Sequence, residues 1–280
     1  MISSHPQGRL LSELSIESLE AEAVEFLRDK CGQSARVGLG FSGGKDSVVI
    51  MELMRRAGVE FTAFYHATQI DPPEVVRFIR KHYPEVVFFY AEKKFFRKII
   101  TFAPPLPNAR WCCGILKRGG KKTRKFNPLV LGIRAEESAR RKDYSRVDPW
   151  RKKQTTIYPI LSWRLCDVWE YIEYRNLPYC SLYDEGFDRL GCVPCPFKSP
   201  KIHEISKLRW PGIYRAFENS VKKWFFKKWW ENHTMAADSP EEFCSDYYKH
   251  KARWYSNEPR HHSWREKELK QMARVMEAEK

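Results

Sequence analysis

Two sets of residues in this chain have the types and spacing that chemistry requires. The first is Ser42-Gly-Gly-Lys-Asp-Ser47, a short loop carrying two hydroxyls, an ammonium and a carboxylate around a glycine pair. Glycines let a backbone approach phosphate oxygens closely, and the start of a helix presents free N–H groups to an anion. Placed between a strand and a helix, this hexapeptide is a phosphate cradle; the alternative is a tight turn that is merely glycine-rich. The second set is cysteine: Cys112-Cys113 and Cys192-x-x-Cys195, with Cys180 upstream of the second pair. Four thiolates suit zinc or an iron–sulfur cluster. Adjacent cysteines are awkward ligands for one zinc ion because neighbouring side chains diverge, whereas a cubane spans the divergence. Zinc and a metal-free cysteine set stay open as alternatives.

The surrounding elements must place these groups. Ala35 to Phe41 is a short apolar run suited to a buried strand, and Asp46 to Ala57 has helical period with Gly58 as its C-cap, so the loop falls at a strand-to-helix junction. Val59 to Tyr65 reads as a second strand, Pro73 opens a helix, Val86–Tyr90 is a third strand and Pro128–Ile133 a fourth. The first 30 residues read as a helix, with Leu10, Leu14, Leu19, Val24 and Leu27 near helical spacing. Strands alternating with helices predict a doubly wound, mostly parallel α/β sheet over residues 30–175. Ligands in such sheets bind at the carboxyl ends of the strands, where the loop lies. Beyond Pro178 the texture changes to Cys-x-x-Cys, prolines and tryptophans, which predicts a mainly helical C-terminal region.

Composition bounds the function. With 42% hydrophobic and 14% aromatic residues in 280, the chain can bury a substantial core, which excludes whole-chain disorder. No apolar run reaches 18 residues, so no membrane span is expected, and the N-terminus lacks the pattern of a secretory signal. Both point to the cytoplasm, where thiols stay reduced and eight cysteines are metal ligands, redox groups or core residues. The formal charge of +15 favours an anionic partner. Between Arg110 and Arg164 stand sixteen basic and four acidic residues, which reads as a nucleic-acid-facing stretch or as a solvated, lysine-rich loop set. Lys222-Lys-Trp-Phe-Phe-Lys-Lys-Trp-Trp230 and Arg253-Trp-Tyr interleave cations with aromatics. They can stack bases, or form a packed helix with basic flanks.

Spacing discriminates among phosphate loops. A Walker A motif would place a glycine at Leu39 and a Ser or Thr at Asp46, and it fails at both. Gly38-x-Gly40-x-x-Gly43 matches the dinucleotide fingerprint, but the second strand ends without the acidic residue that would hold a ribose. Ser42-Gly-Gly-Lys-Asp-Ser47 instead resembles the pyrophosphate loop of the adenine-nucleotide alpha-hydrolase superfamily. Three further segments are similar to the phosphoadenosine phosphosulfate (PAPS) reductase branch: Asp71-Pro-Pro-Glu-Val-Val-Arg-Phe-Ile79, Gly132-Ile-Arg-Ala-Glu-Glu-Ser-Ala-Arg140, and Leu182 to Pro196 with its Cys-x-x-Cys. The resemblance covers residues 35–200.

The resemblance implies an adenine-nucleotide alpha-hydrolase-like, Rossmann-like fold and an ATP pyrophosphatase. Ser42, Gly43, Gly44, Lys45, Asp46 and Ser47 would hold the pyrophosphate of ATP, with Asp46 reaching Mg2+. Arg134 and Arg140 would grip the α-phosphate or the acceptor's phosphate, and Lys117 could join them. Cys112, Cys113, Cys192 and Cys195 would hold a [4Fe–4S] cluster. Relatives engaged in DNA phosphorothioation make Cys180 an alternative fourth ligand in place of Cys113. Cys31, Cys166 and Cys244 read as core residues.

A sulfonucleotide reductase of this branch uses a cysteine in a Glu-Cys-Gly-Leu-His motif. The cysteine that follows Cys195 here is Cys244, flanked by Glu242 and Asp246, which would raise a thiol pKa. The expected function is therefore sulfur transfer from a cysteine desulfurase to nucleic acid, by DNA phosphorothioation or tRNA thiolation. A PAPS or adenosine phosphosulfate reductase and a non-catalytic nucleic-acid-binding module are the alternatives. The expected organisation is an N-terminal helix over 1–30, a nucleotide-binding α/β domain over 31–178, and a basic, tryptophan-rich region with Cys-x-x-Cys over 179–280.

Overall fold

Short β-branched and aromatic runs separated by amphipathic helices build a six-stranded sheet flanked by helices. The computed structural model describes residues 15–90, 95–106, 111–118, 123–150 and 154–232. In chain order the elements are α1 (Ile16–Cys31), β1 (Val37–Gly40), α2 (Lys45–Ala57), β2 (Phe61–Ala67), α3 (Pro73–His82), β3 (Val87–Tyr90) and α4 (Phe95–Thr101). They continue as β4 (Leu129–Leu131), β5 (Val147–Trp150), β6 (Gln154–Ile157), α5 (Leu165–Tyr174), α6 (Pro200–Arg209) and α7 (Pro211–Asn232). The strand order is β3-β2-β1-β4-β6-β5. β1 pairs in parallel with β2 (Leu39 opposite Ala63) and with β4 (Leu39 opposite Val130), and β4 with β6. Only the β5–β6 edge pair is antiparallel among the described ladders.

The chain divides into two compact units. Unit 1 comprises Met1–Ala67, Pro72–Phe89 and Gly120–Leu190; unit 2 comprises Thr68–Asp71, Tyr90–Gly119 and Gly191–Lys280. Unit 1 carries the sheet with α1, α2, α3 and α5. Its core contains Leu27, Leu39, Phe41, Ile50, Met51, Tyr158, Trp163 and Tyr171, all nearly inaccessible to solvent. The described residues of unit 2 are mainly helical, and their core joins Ile70, Phe95, Ile99, Leu106, Cys112 and Leu116 to Phe217, Val221, Trp224 and Phe225 of α7.

The predicted strands exist, with ends displaced by a few residues. The helix expected over the first 30 residues is α1, which starts at Ile16 behind Ser15; the Ser15 hydroxyl accepts the Ser18 N–H at 3.2 Å, an N-cap. Leu10 and Leu14 lie outside the described residues. The buried face of α1 includes an acid, Glu20, which is neutralised by Arg56 at 3.0 Å and by Arg175. Aromatic residues in α7 settle one alternative. Trp224 and Phe225 are buried in the unit 2 core and the Trp224 Nε1–H donates to the Phe102 carbonyl at 3.2 Å, so these two rings pack and do not stack bases. The side chains of Lys228, Trp229 and Trp230, and all of Arg253-Trp-Tyr, lie outside the described residues.

Candidate functional site

In unit 1 the hexapeptide lies where β1 ends and α2 begins. Gly43 has φ +73°, and a Cβ there would come within 3.0 Å of Val75 and Ile79, so both conformation and packing require glycine. The two serines lock the turn. Ser47 Oγ donates to the Gly44 carbonyl at 2.7 Å and accepts the Ser42 N–H at 3.2 Å, while Ser42 Oγ accepts the Gly44 N–H at 3.3 Å. The turn is closed by its own hydroxyls and amides, which is preorganisation for an anion at the N-terminus of a thirteen-residue helix.

Lys45 is buried, at 5% exposure, beneath that turn. Its ammonium donates to the Asp188 carbonyl at 3.2 Å and lies 3.6 Å from Asp46 Oδ2. Its backbone N–H donates to the Tyr183 hydroxyl at 3.0 Å. Burial lowers the Lys45 pKa; the Asp46 carboxylate opposes the shift, and the positive charges of Arg134 and Arg189 add to it.

Arg134 follows β4 and is 4% exposed. Its Nε donates to Asp46 Oδ1 at 2.6 Å and its Nη1 pairs with Glu136. Gly132 permits this approach, since a Cβ there would come within 3.1 Å of the Asp46 backbone. Asp46 thus faces one cation on each oxygen. A Mg2+ ion at this residue would have to share the carboxylate with those two cations.

Arg140 is exposed, whereas its neighbour Arg141 is half-buried and paired with Glu137. Arg189 Nη2 also reaches Glu137, at 3.5 Å. Burial and the charge of Arg189 depress the Arg141 pKa, so two guanidiniums crowd one side of the loop. Arg141 and Arg189 were not among the residues singled out by sequence. Arg189 stands inside the Leu182–Pro196 segment that carried the family resemblance, and Arg141 is one position from Arg140. Nothing in spacing points from Lys45 to Tyr183 or Asp188.

The four paired cysteines lie in unit 2. Cys112 and Cys113 form a helical turn, Trp111–Cys113, that runs on into a π-helical turn, Gly114–Arg118. The hydrogen bond with Cys113, then burial, then the charges of Cys113, Cys192 and Cys195 push the Cys112 thiol up. The four thiols are therefore one electrostatic neighbourhood, drawn from segments with 78 residues between Cys113 and Cys192. The Val193 N–H donates to the Ile70 carbonyl at 2.7 Å and fixes the second pair beside Thr68–Asp71. Thr68 Oγ1 lies 3.5 Å from Cys192 Sγ, which donates to Asp71 Oδ1 at 3.9 Å.

The Lys117 pKa is raised chiefly by the charge of Cys192, with Asp71, Cys113 and Cys195 acting in the same sense against burial. Lys117 is thus a companion of the thiols in unit 2. Lys198 donates to Ser206 Oγ at 3.1 Å; burial lowers its pKa to about 8, and the Cys195 and Cys192 charges oppose the shift. Among the described residues no three His, Cys, Asp or Glu side chains converge as a single metal ion requires. Cys112, Cys113, Cys192 and Cys195, attended by Lys117 and Lys198, are the donor set that a thiolate-held metal group would use in this unit.

Cys180 belongs to unit 1. It is buried, and burial raises its pKa, with Glu74, Glu185 and Asp184 as acidic neighbours. Cys31 is a core residue, as its helical setting predicts. Cys166 is not: it is half-exposed, because α5 turns that position away from its buried face of Asp167, Val168, Tyr171 and Ile172. Cys244 lies outside the described residues. Among the described residues no helix is long and apolar enough to cross a membrane.

Comparison with known proteins gives the following. The phosphoadenosine phosphosulfate reductase domain model matches residues 36–198. An uncharacterized protein of Methanocaldococcus jannaschii is 29% identical over 75% of this chain and 46% of its own length, so the chain spans about half of that relative. An adenosine 5'-phosphosulfate reductase of Allochromatium vinosum is 24% identical over 79% of this chain and 85% of its own length. The crystal structure of PAPS reductase from Candida auris, in a phosphate complex, covers 64% of this chain and 96% of its own, at 16% identity and a TM-score of 0.49.

Proposed function

For a chain that belongs to the phosphoadenosine phosphosulfate reductase family, we propose an ATP pyrophosphatase activity that serves sulfur transfer. The acceptor is nucleic acid, either DNA undergoing phosphorothioation or tRNA undergoing thiolation, and the sulfur comes from a cysteine desulfurase. The observation that carries this reading is the self-locked loop with a buried lysine beneath it and a buried arginine on its aspartate. That arrangement concentrates positive charge where a pyrophosphate would sit, at 5% and 4% exposure for the two cations.

The Gly43 amide and the Ser42 and Ser47 hydroxyls would take the β- and γ-phosphates, the Ser42, Gly44 and Lys45 amides serving to hold the turn. Lys45 exchanges the Asp188 carbonyl for a phosphate oxygen, a move of a single hydrogen bond from its present place. Arg134, clamped by Asp46 and Glu136, keeps the aspartate turned inward and adds fixed charge. An acceptor oxygen attacks the α-phosphate, the bond to the β-phosphate oxygen breaks, and pyrophosphate leaves with both electrons of that bond. Fixed cations aimed at the developing charge are the main catalytic contribution. A sulfur nucleophile then displaces AMP. A [4Fe–4S] cluster, held by Cys112, Cys113, Cys192 and Cys195, would supply a place for that sulfur to be carried. Lys117 and Lys198 offset the charge of the thiolates, and Asp71 and Thr68 orient Cys192.

Nucleic acid is favoured as acceptor by the excess of twelve positive charges between Arg110 and Arg164. The similarity to an adenosine 5'-phosphosulfate reductase over 85% of that enzyme keeps sulfonucleotide reduction as a second reading. The deciding experiment supplies anaerobic, cluster-loaded protein with ATP and Mg2+ and measures pyrophosphate. Release that disappears in Lys45→Ala is the expected result, with sulfur gained by nucleic acid in cells that carry the protein. Sulfite made from PAPS or adenosine phosphosulfate with thioredoxin would assign the reductase instead. An absence of both products would leave a binding module.

A further inference from the structure

We propose that Tyr183 is a positioning residue for the pyrophosphate end of the nucleotide, acting through the first backbone amide of α2. The inference rests on the nucleotide reading above and names a residue that the hexapeptide alone does not supply.

Its hydroxyl accepts the Lys45 N–H at 3.0 Å, a contact between residues 138 apart in sequence. Its ring also receives the other end of the same residue, since the Lys45 ammonium lies 5.3 Å from the ring centroid. Five residues later the Asp188 carbonyl takes that ammonium, and Arg189 adds its charge. One seven-residue stretch thus holds the backbone and the side chain of a single lysine.

The phenol is itself anchored. It ends a 3-10 turn, Ser181–Tyr183, closed by the Gly186 N–H on the Tyr183 carbonyl at 3.1 Å and the Phe187 N–H on the Leu182 carbonyl at 3.1 Å. Its ring meets Trp169 edge-on at 5.1 Å, and Tyr179 at 6.4 Å. Trp169 belongs to α5, so the hydroxyl is referenced to a helix of the same unit. Burial raises the phenol pKa, which keeps the oxygen neutral and able to accept an N–H across the neutral range.

The consequence is geometric. An N–H fixed by a rigid acceptor sets the direction in which the helix starts, and with it the point from which the Lys45 side chain departs. A misplacement of about 1 Å at such a point costs affinity for the group being cradled. Pyrophosphate binding should therefore depend on the hydroxyl, while binding of a nucleotide that lacks the β- and γ-phosphates should not.

Tyr183→Phe keeps the ring and its edge-on contacts and removes only the oxygen. The full chain is titrated calorimetrically with magnesium pyrophosphate and, separately, with AMP. The expected result is a pyrophosphate Kd raised about 5-fold, with the AMP Kd unchanged and the melting temperature lowered by no more than the loss of one hydrogen bond allows. Unchanged or tighter pyrophosphate binding overturns the proposal, the latter by showing that the hydroxyl competes with the anion. Equal weakening of both ligands overturns it too, by assigning Tyr183 to packing alone. The unaltered chain is titrated first: if it binds no pyrophosphate, the nucleotide reading fails before the variant is compared.

Discussion

Arg134 Nε and Asp46 Oδ1 stand 2.6 Å apart, joining the segment after β4 to the first turn of α2 across 88 residues. The pair serves two ends: it neutralises an acid inside a site built for an anion, and it ties the loop's helix to the neighbouring strand. Removing one partner of a buried pair leaves the other without compensation. Arg134→Met is expected to cost about 3 kcal/mol of stability, measured by denaturant unfolding. Adding Asp46→Leu should recover part of that stability and none of the pyrophosphate binding. If the double variant is no more stable than the single one, the pair is not the source of the loss.

The cysteine assignment is separable residue by residue. After anaerobic reconstitution, Ser substitutions at Cys112, Cys113, Cys192 and Cys195 are each expected to lose most bound iron and sulfide, together with the broad visible absorbance. Cys180→Ser, altering a buried thiol of unit 1, should retain them. The reverse outcome for Cys113 and Cys180 would exchange the fourth ligand, and stoichiometric zinc in place of iron would replace the cluster.

Cys31 supplies a pH signature of unit 1. Burial pushes its thiol up to about 11 from 9.0. An unfolded chain ionises this thiol near 9.0 and the folded chain does not, so the contribution of the neutral thiol is complete below pH 9.0 and is lost as pH rises through about 11. The stability difference between the natural chain and Cys31→Ala should narrow over that window in chemical denaturation. A constant difference would mean that the thiol titrates alike in both states.

In unit 2, Trp224→Ala should cost about 3 kcal/mol, as removal of a buried aromatic ring does. The salt dependence of any nucleic-acid binding should stay the same, since no phosphate contact is removed. An unaffected melting temperature with weakened single-strand binding would restore the stacking role.

Much of unit 1 is legible from local pattern. The strand, glycine loop and helix from Val37 to Gly58 follow from an apolar run, two glycines and a period of 3.6, all short-range signals. β5 and β6 are not legible that way. Residues 147–157 read Val-Asp-Pro-Trp-Arg-Lys-Lys-Gln-Thr-Thr-Ile, and the proline and charges that mask a strand are what an edge strand tolerates. Glu20 was hidden for a similar reason: an acid on an apolar face looks like a helix boundary until Arg56 and Arg175 are seen to meet it. At the site, the hexapeptide named itself, but Tyr183, Asp188, Arg141 and Arg189 reach it only through the fold. The Arg140 position was singled out beside the arginine that faces Glu137, because a four-residue helix gives no period from which to choose a face.

The interleaving of the two units bears on how the polypeptide can be handled. Unit 1 is assembled from three stretches and unit 2 from three others, and the chain passes from one to the other five times. No single scissile position yields either half whole: a cut after Leu190 keeps the pyrophosphate turn but parts Cys112 and Cys113 from Cys192 and Cys195. Fragments meant to isolate one chemistry would each carry half of the other's scaffold, so expression trials and limited proteolysis should treat the span from α1 through α7 as indivisible.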